Sequence, residues 1–144
     1  MNLKYKYFED GFSFTGFKIP DVPVVELALI RGDKRLRARG LAVVDTGFDG
    51  GVYPNLEVVE FLEGLTPLAT ERLETPLSKP VEFEVYELRG ELISPRTNER
   101  LDLEEVKIYV PMEVEYLSRE VLVGREILNK LKISLNGQYT EVST

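Results

Sequence analysis

Leu41-Ala42-Val43-Val44-Asp45-Thr46-Gly47-Phe48-Asp49-Gly50-Gly51 is the stretch on which the reading of this chain turns. Four apolar residues in a row read as a buried strand, and the glycine-rich, Asp-containing segment after them reads as a tight loop. Together they set one carboxylate at the end of a rigid element, where burial and neighbours can tune it. Taken alone, an Asp-Thr-Gly triplet is a modest signal. At average residue usage it arises by chance in roughly 3% of chains of this length, and Asp commonly caps a turn by accepting backbone N–H bonds.

Working outward, the residue types that are missing narrow the chemistry. The chain has 144 residues, which suits one domain with a sizeable core. It contains no cysteine and no histidine. That excludes a disulfide framework, a thiolate zinc site, a Ser-His-Asp triad, a Cys-His dyad and any His-ligated metal. Carboxylates, Lys, Tyr, Ser and Thr remain as candidates. A formal net charge of -7 argues against a nucleic-acid partner and against an anionic membrane surface. No run of about 18 apolar residues occurs, and Met1–Asp10 has no apolar signal core, so a soluble cytoplasmic protein is expected.

The rest of the chain reads mostly as strands. Pro23–Ile30 and Arg35–Val44 flank a charged turn at Arg31-Gly32-Asp33-Lys34, and the basic cluster there (Arg31, Lys34, Arg35, Arg37, Arg39) reads as a solvated turn. Asn55 is placed to cap a short helix over Leu56–Glu63. Ala69–Glu74 and Val81–Ile93 read as a hairpin whose connector, Thr75–Pro80, carries two prolines and so cannot be a central strand. Leu101–Val110 alternates, Val121–Val123 is a short buried strand, Arg125–Leu131 is helical, and Lys132–Leu135 is a last strand before Asn136-Gly137. Met1–Pro20 is rich in Tyr and Phe and reads as a strand pair or an arm. Tyr5, Tyr7, Phe12, Phe14 and Phe17 at strand spacing suggest packing or dimer contacts. Acidic clusters at Glu57/Glu60/Glu63, Glu82/Glu84/Glu87 and Asp102/Glu104/Glu105 read as solvated faces rather than metal ligands.

Two motifs in order give these strands a family likeness. One is Asp45-Thr46-Gly47 after its apolar strand; the other is Val121-Leu122-Val123-Gly124-Arg125-Glu126-Ile127-Leu128, an apolar pair and Gly followed by an Arg-led helix. With the 69–93 hairpin between them, the chain resembles the retropepsin-like, single-domain aspartic proteases over about residues 23–137. The resemblance implies an all-β, mainly antiparallel closed barrel or sandwich with one or two short helices. It divides the chain into an N-terminal arm or extra strands at 1–22 and a protease domain at 23–144. It implies no metal and no cofactor.

The activity implied is hydrolysis of peptide bonds by paired carboxylates. Two such groups close together cannot both ionise easily, so they share a proton and act as base and acid. One motif per chain then implies a homodimer with Asp45 from each subunit at its two-fold axis, acting on a peptide or protein, with no nucleic acid and no membrane involved. The resemblance places Asp45 as catalytic and Thr46 as a hydrogen-bonding partner across the axis. Gly47 would approach substrate closely, with Asp49, Arg125 and Gly124 supporting the loop. Thr75, Pro76, Leu77 and Ser78 fall where the family carries its flap tip, though the prolines replace the usual glycines. Phe48 departs from the Ala common at that place in retroviral members; it either narrows a substrate pocket or fills core. A catalytically weak or inactive dimeric peptide-binding or scaffold module is the alternative reading.

Overall fold

Alternating and short continuous apolar stretches favour sheet, and about half of the chain is strand, in elements of two to fourteen residues, with 9% in helix. The computed structural model describes residues 1–74 and 80–144. In chain order the strands are β1 (Asn2–Lys6), β2 (Val24–Arg31), β3 (Leu36–Val44), β4 (Val52–Tyr53), β5 (Ala69–Glu74), β6 (Pro80–Ile93), β7 (Arg100–Pro111), β8 (Val121–Val123), β9 (Lys132–Leu135) and β10 (Tyr139–Ser143). Two short helices, α1 (Leu56–Phe61) and α2 (Arg125–Leu128), follow β4 and β8.

Six strands, in the order β2-β3-β8-β4-β7-β6, form a barrel that is closed by pairing of β2 with β6. Closure removes the unpaired edges that an open sheet of this size would expose. The pairings are antiparallel except for β3 with β8 and β4 with β7, which are parallel. β5 extends the sheet outward from β6. Val25, Leu27 and Leu29 of β2, Val44, Val52, Leu92, Ile108 and Val123 fill the barrel, and Ile127 and Leu128 of α2 join them. A second sheet, β1-β10-β9, lays Leu3, Tyr5 and Val142 on the same core. The Tyr5 hydroxyl, buried with its ring, donates to the Ile93 carbonyl at 2.8 Å.

β6 changes phase along its length. Val81, Phe83 and Val85 are buried at odd positions, and Leu88 and Leu92 at even ones. Its first half therefore packs in a small second cluster with Tyr109, Phe48, Tyr53 and Leu73, and its second half packs in the barrel.

Several expectations need adjusting. Both helices are shorter than their periodicity suggests, because α1 stops at Phe61 and α2 gives way to single turns closed by Lys130 and Leu131 N–H bonds. β10 lies beyond the last strand read from the sequence. Arg31, expected in a solvated turn, is buried, with 3% of its surface exposed. Its Nε and Nη2 hold both oxygens of Asp33, at 3.1 and 2.7 Å, and Nη1 donates to the Phe61 and Glu63 carbonyls at 3.0 and 2.6 Å. The end of α1 lies over the turn and needs donors for carbonyls that the helix leaves open. Residues 1–22 form β1 and then a hairpin whose legs bridge at Phe8–Val22 and Phe12–Lys18. No helix of the described residues is long and apolar enough to cross a membrane.

Candidate active site

Asp45 is the first residue beyond β3, and its position is fixed by both neighbouring strands. The Val44 N–H donates to the Pro23 carbonyl at 3.0 Å on one side, and the Asp45 N–H to the Val123 carbonyl at 2.9 Å on the other. The chain then turns on the Asp45 side chain: Oδ1 accepts the Gly47 N–H at 2.9 Å, and the Asp45 carbonyl accepts the Phe48 N–H at 3.2 Å. This is the Asx-type turn that a short carboxylate side chain favours. Asp45 is half-buried, and Thr46 and Gly47 beside it are exposed.

The second motif packs directly on this loop. A helix leaves its first N–H groups without internal partners, and here loop carbonyls take them. The Gly124 N–H reaches the Gly51 carbonyl at 2.8 Å, the Arg125 N–H reaches Phe48 at 2.9 Å, and the Glu126 N–H reaches Gly50 at 3.2 Å. The approach is so close that a Cβ at Gly124 would stand 2.3 Å from the Gly50 carbonyl oxygen and 2.6 Å from that of Phe48. Only glycine fits there. Above this contact Arg125 spreads its fork, with Nη1 on the Thr46 carbonyl at 3.0 Å and Nη2 in an ion pair with Asp49. The fork is divided between a carboxylate and a backbone carbonyl rather than closed on one carboxylate. Both side chains are about half exposed, so the pair contributes geometry more than stability, at most about 1 kcal/mol.

Phe48 points inward. Its ring meets Tyr53 edge-on at 5.4 Å and Tyr109 at 5.9 Å, and Phe83 completes the box at 5.9 Å from Tyr53 and 6.2 Å from Tyr109. Phe48 is partly buried and packs against the second cluster. Edge-to-face pairs of this kind are each worth about 0.5–1.5 kcal/mol beyond area burial. The Tyr109 hydroxyl donates to Glu126 Oε2 at 2.9 Å, tying β7 to α2 from the core side. Burial first, and the adjacent Glu126 carboxylate next, push the Tyr109 phenol well above its ordinary pKa, so it stays a donor. The Tyr53 hydroxyl donates to the Tyr116 carbonyl, and burial raises its pKa too.

Asp45, Thr46, Gly47, Phe48, Asp49, Gly124 and Arg125 are thus gathered in one loop-and-helix unit. Thr75, Pro76, Leu77 and Ser78 lie outside the described residues; the strands leading to them pair in register as far as Glu74 and Pro80. Tyr53, Phe83 and Tyr109 have no site role in the sequence reading, and Glu126 enters it only within the Arg-led helix motif. Tyr109 falls between the alternating positions of β7, where an aromatic flanked by Ile108 and Val110 was the available hint. Among the described residues, no group of three or more acidic side chains is placed to hold a metal ion. Comparison with protein-family models, with curated proteins and with solved structures returns no match, so the residues and geometry above are what a functional reading of this chain rests on.

Proposed function

We propose that this chain is a homodimeric aspartic endopeptidase, in which the Asp45 carboxylates of two subunits activate one water for attack on a peptide bond. The observation that carries the reading is the unit just described: an accessible Asp-Thr-Gly at a strand end, held from below by a glycine-led helix and an arginine. A carboxylate that only capped a turn would need none of that support.

The chemistry follows from pairing. Within a dyad one carboxylate is ionised and the other protonated, and the apparent pKa values belong to the pair. The ionised member takes a proton from water as the oxygen adds to the carbonyl carbon, and the protonated member donates to the carbonyl oxygen. Collapse of the tetrahedral species breaks the C–N bond, with a proton passing to the leaving amine. Each chain contributes a single motif, and a two-fold axis supplies the second by symmetry. Exposed Thr46 and Gly47 suit contacts across that axis and with extended substrate main chain.

Asp45→Asn tests the reading. The wild type should cleave members of a broad peptide library somewhere between acid and neutral pH, and the variant should lose at least about 1,000-fold in rate while keeping its oligomeric state. Equal cleavage by the variant would refute the mechanism. A wild type that cleaves nothing but still binds peptides would favour the binding-module reading.

A further inference from the structure

Four of the seven phenylalanines are on the hairpin between β1 and β2, and none of the four is packed: Phe8 is 47% exposed, Phe12 71%, Phe14 112% and Phe17 74%. The hairpin is nonetheless well formed. Phe8 and Val22 exchange N–H bonds at 2.9 and 2.8 Å, Ile19 donates to Gly11 at 2.8 Å, and Ser13 donates to Phe17 at 2.8 Å. Lys18 and Asp21 pair at 2.6 Å. Gly11 and Gly16 take positive φ, 83° and 86°, to make the bends. An ordered element that holds its apolar side chains in water marks an interaction surface.

We infer that this hairpin, residues 8–22, is a clasp for a second copy of the chain. Its position selects the occupant. Val24 is opposite Val43 and the Pro23 carbonyl holds the Val44 N–H, so the hairpin joins the barrel beside Val44, one residue from Asp45. A two-fold axis between two Asp45 residues then puts the root of each hairpin next to the other subunit. In that respect the inference rests on the shared-site reading above. The area fits as well. The exposed rings amount to on the order of 600 Å² per chain. Two clasps would bury about 1,200 Å² from the rings alone, the lower end for specific interfaces before the receiving surfaces are counted. Charge disfavours an anionic bilayer as occupant, since Glu9, Asp10 and Asp21 outnumber Lys18.

The test uses the full chain. Phe12, Phe14 and Phe17, all replaced by Ser, should leave the thermal midpoint unchanged at concentrations where both proteins are monomeric, but weaken dimerisation about 100-fold or more in sedimentation equilibrium. Because the chain has no cysteine, Phe14→Cys also gives a single attachment point for a benzophenone label. Irradiation should join two chains. A triple variant that dimerises like the wild type, or a label that reacts only within its own chain, overturns the clasp. Flotation of the wild type with zwitterionic vesicles, abolished in the triple variant while its oligomeric state is unchanged, also overturns it in favour of a lipid occupant. The two readings fail separately. A wild type that dimerises through the clasp without hydrolysing peptides keeps the clasp and removes the protease. A triple variant that still dimerises and cleaves does the reverse.

Discussion

Arg31 and Arg125 do the same thing in two parts of the molecule with opposite consequences. Each divides its guanidinium between an Asp and backbone carbonyls of another element: Arg31 joins the β2–β3 turn to the end of α1, and Arg125 joins α2 to the Asp45 loop. Arg31 is 3% exposed, whereas the Arg125 side chain is 46% exposed. A buried guanidinium does not exchange its partners for water, so its removal costs stability. An exposed fork competes with water and salt, so what it offers is position.

Breaking the buried fork should have the larger effect on folding. Arg31→Met leaves the Phe61 and Glu63 carbonyls without their donor and should lower the thermal midpoint by on the order of 10 °C in a calorimetric scan. Acid should reveal the same clamp more gently. The Arg31 fork holds the Asp33 carboxyl below the ordinary carboxylate value. A pKa depressed by folding gives stability that is complete above the unfolded value near 4 and is lost as pH falls through the folded value. Asp33→Asn should therefore be less stable than the wild type at pH 6, with the gap closing toward pH 2 in urea titrations. The smallest change in stability is expected on the exposed side. Arg125→Lys keeps the charge but not the fork, and should shift unfolding by less than about 1 kcal/mol while sharply reducing dimerisation or peptide hydrolysis. Unaltered assembly and hydrolysis in that variant would make the two arginines equally structural.

The strands of the large sheet were legible because their patterns are local: the apolar run of β3, the alternation of β7 and the proline-bearing hairpin of β5 and β6 announce themselves within a dozen residues. The helix cap at Asn55 was legible for the same reason, and its side chain does accept the Val58 N–H at 3.0 Å. Features set by distant partners were not. Arg31 sits in a turn-like Arg-Gly-Asp-Lys stretch, and nothing nearby tells that carbonyls thirty residues on will lie over it. β10 was missed because Tyr139–Ser143 is apolar only at Tyr139 and Val142; its strand state comes from pairing with β1 at the other end of the sequence. The loop's Asp45, Thr46 and Gly47 could be read directly, but the box of Phe48, Tyr53, Phe83 and Tyr109 draws one ring from each of four separate segments.

The bond from the Asp45 N–H to the Val123 carbonyl joins residues 78 positions apart. Pairings of such long range form slowly and late, because the loop they close must be ordered before they repay it. A chain emerging from the ribosome has β2 and β3 in hand long before β8 and α2 exist to seat the loop. The carboxylate therefore acquires its fixed geometry only after synthesis has passed Arg125, and a half-made chain carries an Asp-Thr-Gly sequence without the clamped loop it becomes.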